Sequence, residues 1–212
     1  MKIFLAVWCL MFITAAQTNV GQWLRLIPGY QQESYFKERV YLEHTWNSFI
    51  ELKAAHETID PQHYVYHLLN SALFFATNKW RVRNRFPALA YHRALRDAAA
   101  IHTHQMVQYN FFSHVNNLHE PISHPHKRLA VAGLPDVRMG ENCDYTYIDL
   151  QKPPTYMQLA EKIISDFQRS TGHRRTMSST VFTHLGIAAE FESLPKGSYH
   201  YLKVTQCLAT VE

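Results

Sequence analysis

Near the end of the chain the pentapeptide Leu194-Pro-Lys-Gly-Ser198 separates two β-forming runs, and this arrangement limits the possible folds more than any other feature. Residues 185–191, LGIAAEF, are apolar and small, while residues 199–209, YHYLKVTQCLA, are rich in aromatic and β-branched side chains. Two such runs joined by a short Pro/Gly loop predict a hairpin. A third run, 143–148, alternates through Tyr145 and Tyr147 and reads as another strand.

Most of the remaining chain has helical period. Residues 33–58 place Phe36, Val40, Trp46, Phe49 and Ile50 at spacings near three and four, which predicts one amphipathic helix. Asp60 followed by Pro61 is a helix start, and the stripe Val65, Leu68, Leu69, Ala72, Phe75 and Ala76 carries that helix to about residue 78 as a core-packing face. An alanine-rich helix over 90–109 follows, with Leu95, Ala98, Ala99, His102 and Met106 on one side, His102 reading as a hydrogen-bonded core residue. A short helix over 125–132 is stopped by Gly133. A longer one over 155–171 follows Pro153-Pro154, with Leu159, Ile163, Ile164 and Phe167 inward. Gly172 would end it in a left-handed turn that aims His173 in a fixed direction. Helices with a few strands, and no repeat or glycine-rich phosphate loop, make this an α+β chain.

At 212 residues, 47% hydrophobic and 18% charged, the chain is long enough for one buried domain plus an extension and too apolar for disorder. Residues 1–16, MKIFLAVWCLMFITAA, set Lys2 before an apolar run that ends in two small residues, the pattern of a cleaved secretory signal peptide. The run is short for a membrane span, so no stable transmembrane segment is expected and the mature chain would be secreted or periplasmic. Cleavage after Ala16 removes Cys9 and leaves Cys143 and Cys207, a pair open to oxidation outside the cytoplasm; two buried free thiols are the alternative reading. The formal charge of +4 is too mild to demand nucleic acid. One local feature stands out. In NKWRVRNRFP the cations Lys79, Arg81, Arg83 and Arg85 interleave with Trp80, Val82 and Phe86, a candidate contact for an anionic surface or simply a solvated edge.

Three segments carry candidate chemistry: FFSH at 111–114, GEN at 140–142 and RSTGHR at 169–174. In this order, with LLNSALF upstream, HKRLAVAGL between the first two and HLGIAA after the third, they resemble the CAP superfamily, the SCP-like domain of cysteine-rich secretory, antigen 5 and pathogenesis-related proteins. The resemblance is to its compact bacterial branch and covers about residues 68–210. It divides the chain into a signal peptide (1–16), an N-terminal helical extension (17–60) and a CAP domain (61–212). It implies an α-β-α sandwich, with a small antiparallel sheet between helical layers and a cleft lined by two histidines and an acid. Carried over by position, the histidines fall on His114 and His173 and the acid on Glu141. The second acidic position of many eukaryotic members falls near Ser170, a hydroxyl here, which weakens any division of acid and base roles between two carboxylates.

Two imidazoles and a carboxylate also form a plausible set for zinc or another divalent metal. His114, Glu141 and His173 are therefore the candidate metal ligands, and with Ser170 the candidate catalytic residues. Ser170 lacks an Asp orienter and the G-x-S-x-G elbow of a serine nucleophile. His119, His124 and His126 match no compact zinc motif and read as a solvated loop. Asn142 reads as a backbone tether beside Glu141, and Arg128 and Arg174 as salt-bridge partners or anion contacts. The expectation is a secreted or periplasmic module that binds a small ligand, lipid, glycan or protein in a His/Glu-lined cleft. The alternative is a metal-dependent hydrolase in which His114, His173 and Glu141 activate water.

Overall fold

A computed structural model describes residues 20–212, so the segment read as a signal peptide lies outside the described residues. Strand β4 (Tyr199–Ala209) occupies an interior position in the sheet and is buried along most of its length on both faces. It pairs antiparallel with β3 (His184–Phe191) on one side and with β2 (Met139–Asp149) on the other. A two-residue strand, β1 (Ala90–Tyr91), adds parallel to β3, giving the order β1-β3-β4-β2. The sheet is thus antiparallel apart from one short parallel edge, which forms where the chain runs directly into a helix: Ala90 N donates to Thr183 O and His92 N to Leu185 O.

Helices cover both faces, which is why β3 reads as a nearly continuous apolar run and β4 is buried on both sides. On one face lie α3 (Tyr66–Arg83) and α6 (Tyr156–Arg169), packed through Leu69, Leu73, Leu159, Ile163 and Phe167 onto Leu185, Ile187, Leu202 and Val204. On the other lie α4 (Arg93–Gln108) and α5 (Pro125–Val131), packed through Leu95, Ala99 and Leu129 onto Ala188 and Cys207. Gly186 makes the second contact possible. A Cβ there would sit 1.9 Å from the backbone nitrogen of Arg96, so α4 rests on bare strand backbone.

The predicted helix over 33–58 is not one helix. It is α1 (Arg39–Glu43), α2 (Trp46–Phe49) and a 3₁₀ turn at Lys53–His56. His44 and Thr45 take extended backbone between α1 and α2, and the Thr45 and Ser48 side chains close a capping box that starts a new helix instead of continuing the old one. The apolar spacing was real but served separate turns, which bury Val40, Phe49, Ala55 and Ile59 in the main core. The segment from residue 20 joins that core as well, with Leu24, Ile27 and Tyr30 against the α4 layer.

The helix expected from Asp60 begins later, at Tyr66. Asp60 instead accepts from Gln62 N at 3.0 Å, a local turn that competes with helix entry. The same helix runs past residue 78 to Arg83 and absorbs the basic run. Arg81 is fully buried and donates to the carbonyls of Pro87, Met177 and Ser179, so it is no surface cation. Lys79 pairs with Glu161. Of the four, only Lys79 has an acidic partner among the described residues.

The predicted helix over 155–171 stops at Arg169. Ser170 is extended (φ −82°, ψ 121°), and Gly172 lies inside the next helix, α7 (Thr171–Ser178). Positive φ among the described glycines occurs at Gly29, Gly133 and Gly197. Gly133 stops α5 as expected, whereas Gly172 is no left-handed cap, and His173 is aimed by the first turn of α7.

Candidate functional site

The site is built around the start of β2, an edge strand. Successive residues of a strand face opposite ways, so Gly140, Glu141 and Asn142 serve three different neighbours. A Cβ on Gly140 would lie 2.9 Å from Thr176 Cγ2 and 3.0 Å from Phe182 Cζ. The glycine therefore lets α7, the helix that carries His173, lie directly against the strand. Asn142 points to that side and ties it down, its Nδ2 donating to the His173 carbonyl at 3.1 Å and to Gln206 Oε1 at 2.9 Å. The tether read from the sequence is thus a bond to the backbone of His173.

Glu141 points the other way, beneath the α4–α5 layer, with 3% of its side chain exposed. Arg128 Nη2 donates to both carboxylate oxygens, at 2.8 and 3.0 Å, and His114 Nδ1 to Oε1 at 2.9 Å. Arg128 is itself buried and also donates to the carbonyls of His114, Ile122 and Ser123, so it locks the loop that delivers His114. Burial alone would push the Glu141 carboxyl up. The His114 hydrogen bond and the Arg128 charge outweigh it and hold the group down at about 2. The same hydrogen bond raises His114, whose side chain is half exposed. Because an ionised carboxylate only accepts, Nδ1 of His114 carries the proton of this bond.

His173 comes from the opposite side of the edge strand. Its ring stands edge-on to Phe167 at 5.2 Å, and its pKa is lowered by burial and next by the nearby charge of His114. The fold thus brings His114, Glu141 and His173 to one edge of the sheet. Ser170 forms the extended joint between α6 and α7 with no side-chain capping bond, and Arg174 donates to the Gln168 carbonyl, away from the carboxylate.

The histidine-rich loop divides. His124 and His126 are exposed and stacked on each other, whereas His119 is not solvated as expected but packs between Trp23 and Tyr109. His102 is a core residue, its Nε2 donating to the Ser113 carbonyl at 2.8 Å, and burial lowers its pKa to about 4.

Cys143 and Cys207 are free buried thiols, which corrects the disulfide expectation. The register explains why. Glu141 pairs with Cys207 and Cys143 with Thr205, so the cysteines are diagonal neighbours, and diagonal Cβ atoms lie well beyond the roughly 3.5–4.5 Å a disulfide requires. Both thiols are pushed up by burial and then by Glu141, so they stay protonated.

Metal-ligating capacity follows from these bonds. Among the described residues, His102, Glu141 and Cys143 place one donor atom each within 4.8 Å of one another. That set does not suit a divalent ion, because Arg128 holds a permanent positive charge on both Glu141 oxygens. The pair His114 and His173 suits one better. An imidazole that donates Nδ1–H to a carboxylate has its Nε2 lone pair free and its ring fixed, the usual support of a metal-bound histidine.

A three-layer α-β-α fold with two histidines at one edge of the sheet, one of them backed by a carboxylate, is the arrangement of an SCP-like domain. The family model of the cysteine-rich secretory protein family, CAP, matches residues 74–204, more than half of the chain, and the chain belongs to that family. The uncharacterized membrane protein YlbC of Bacillus subtilis (strain 168) is 25% identical over 114 residues, which cover 54% of this chain and 29% of that protein. Among solved structures, an extracellular SCP-domain protein of Bacillus anthracis str. Ames aligns with a TM-score of 0.53 and 21% identity, over 73% of this chain and 45% of that one. An outer surface protein of Borrelia burgdorferi aligns with a TM-score of 0.53 and 11% identity, over 74% of this chain and 99% of that one. The chain therefore spans less than half the length of the first two relatives, and at these identities the structural likeness speaks for the fold alone. No helix among the described residues is long and apolar enough to cross a membrane.

Proposed function

We propose that this chain is an exported, non-catalytic binding module, in which His114 and His173 present a divalent ion, zinc by preference, to an oxygen-bearing group of a small ligand, lipid, glycan or protein partner. The observation that carries the reading is the bond from His114 Nδ1 to Glu141 at 2.9 Å, which leaves Nε2 unspent on a half-exposed ring. Glu141 is then an orienting carboxylate and not a ligand. A bound ion would act as a Lewis acid toward that oxygen. Export is supported by the Lys2-led apolar segment and by relatives described as extracellular or outer surface proteins.

The chemistry around the cleft favours binding over turnover. A general base needs a pKa near the working pH and a free lone pair, yet Glu141 is held near 2 and engaged by Arg128 and His114. No nucleophile is activated either, since both thiols are raised and Ser170 has no base bonded to it.

Calorimetric titration of the mature protein with zinc tests this. One ion should bind per chain, His114→Ala and His173→Ala should each lose most of the affinity, and the double variant should be little worse than either. Glu141→Gln should weaken binding about tenfold or more with unchanged stoichiometry. Zinc affinity that survives both histidine changes would overturn the site, and chelator-sensitive cleavage of ester or peptide substrates would restore the hydrolase.

A further inference from the structure

Helix α7 presents two different faces. His173 and Thr176 turn toward β2, whereas Thr171, Arg174, Arg175 and Ser178 follow one another at helical spacing and share the opposite stripe. That stripe lines a cavity of about 490 Å³, within the range of small-molecule sites, whose other walls are Gln168 of α6 and Trp80, Asn84 and Phe86 at the end of α3. No aspartate or glutamate lines it. The acids of the flanking helix α6 are taken, Glu161 by Lys79 and Asp166 by Lys162 and Arg169. The arginines are open by contrast. Arg174 spends Nη1 on the Gln168 carbonyl at 3.3 Å, and the side chains of Arg175, Gln168 and Thr171 have no partner among the described residues.

The facing wall is aromatic. Trp80 and Phe86 lie with their planes 22° apart and their centroids at 6.0 Å. The indole Nε1 is buried without a partner, so Trp80 meets the cavity with ring carbon and not with a donor. Arg81 fixes this wall from behind. It is fully buried and donates to the carbonyls of Pro87, Met177 and Ser179, which ties the turn carrying Phe86 to the end of α7. Two unspent guanidinium groups are thus held across from two aromatic rings.

We infer that this cavity binds a phosphate monoester attached to a flat aromatic group, a nucleotide or an aryl phosphate, with the phosphate at Arg174 and Arg175 and the ring against Trp80 and Phe86. A guanidinium fork matches phosphate oxygens, and aromatic side chains stack with any flat base. Thr171 and Gln168 add neutral donors. The site lies on the face of α7 turned away from the histidine cleft and does not rest on the reading proposed for that cleft.

The test is calorimetric titration of the mature protein, in the presence of chelator, with adenosine 5′-monophosphate, phenyl phosphate, adenosine and inorganic phosphate. One aromatic phosphate should bind per chain, and adenosine and inorganic phosphate should each bind at least tenfold more weakly, since each keeps only part of the contact. The tighter of the two aromatic phosphates tells nucleotide from aryl phosphate. Arg174→Gln combined with Arg175→Gln should bring adenosine monophosphate down to the level of adenosine and leave adenosine unchanged. Thr171→Glu, at a first helical position that favours an acid, keeps the helix and should weaken both aromatic phosphates about tenfold by repulsion. Trp80→Leu should weaken both at least fivefold and leave inorganic phosphate unchanged, and His114→Ala should change nothing. Failure of both aromatic phosphates to bind, binding no tighter than that of adenosine or of inorganic phosphate, or binding indifferent to Thr171→Glu would overturn the proposal. So would arginine-dependent binding of heparin without binding of either aromatic phosphate, which would mark a polyanion surface instead.

Discussion

Glu141 and Asp144 lie three residues apart on β2 and so point to opposite faces of the sheet. Glu141, under α4 and α5, meets a guanidinium and an imidazole and is held ionised down to about 2. Asp144, under α6, has a buried Oδ2 with no partner, and burial, then the charge of Asp166, pushes its pKa up to about 6. The cations near Asp144 are already engaged, since Lys162 and Arg169 both pair with Asp166. Two similar side chains on one strand thus have opposite pKa shifts because of what each face supplies. A buried carboxylate belongs to a site where its partners are also buried, and is a liability where they are used elsewhere.

The largest test removes a partner. Arg128→Met leaves Glu141 with His114 alone and should cost about 3–5 kcal/mol in urea unfolding at neutral pH, the scale of breaking a buried ion pair, while Arg128→Met with Glu141→Leu should recover most of the loss. A loss near zero for the single variant would break the comparison on its stable side. The signs with pH also differ. Glu141 has a depressed folded pKa, so its contribution is complete above its unfolded value of roughly 4.3 and is lost as pH falls toward 2.

Asp144 has the opposite slope. Its penalty is absent below its unfolded value of 3.8, grows as pH rises to about 6, and is full at neutral pH. Asp144→Asn should therefore stabilise the protein by about 2–3 kcal/mol at pH 7 and by little at pH 4, measured by paired urea titrations. Equal stability of the two proteins at pH 7 would show that Asp144 finds a partner after all.

A smaller effect separates the faces by packing. Gly140→Ala should cost about 1–3 kcal/mol because its methyl collides with Thr176 and Phe182, and it should weaken zinc binding by shifting His173 while leaving the Glu141 ion pair intact. Loss of stability without loss of metal affinity would detach α7 from the site. The smallest expected effect is none: reductant should leave the melting temperature unchanged, and the unfolded, unreduced mature chain should titrate Cys143 and Cys207 as free thiols. A disulfide in their place would be worth roughly 4 kcal/mol and would show plainly.

Elements whose signals are local were legible in the sequence. The strand over 199–209 coincides with β4, and the helices over 90–109 and 125–132 differ from α4 and α5 by at most three residues at either end. Segment 33–58 misled because apolar spacing near three and four does not distinguish one helix from successive turns on one core. The run at 79–85 misled because burial of Arg81 depends on the carbonyls of Met177 and Ser179, nearly a hundred residues away. His114, Glu141 and His173 were found through ordered motifs. The part of Arg128 was left open, since nothing near it in sequence shows that it faces Glu141.

The sequence by itself determined the element types, the hairpin, the family and the three side chains at the edge of β2, because propensity, strand alternation and motif order act over a few residues. Only the tertiary structure decided what those side chains are. Strand parity sends Glu141 to Arg128 and Asn142 to the His173 backbone, and pairing register holds the two cysteines diagonal and reduced. The physical reason is that ionisation, ligand capacity and thiol pairing depend on separations of a few ångströms between residues far apart in the chain, and those separations exist only once the layers have packed.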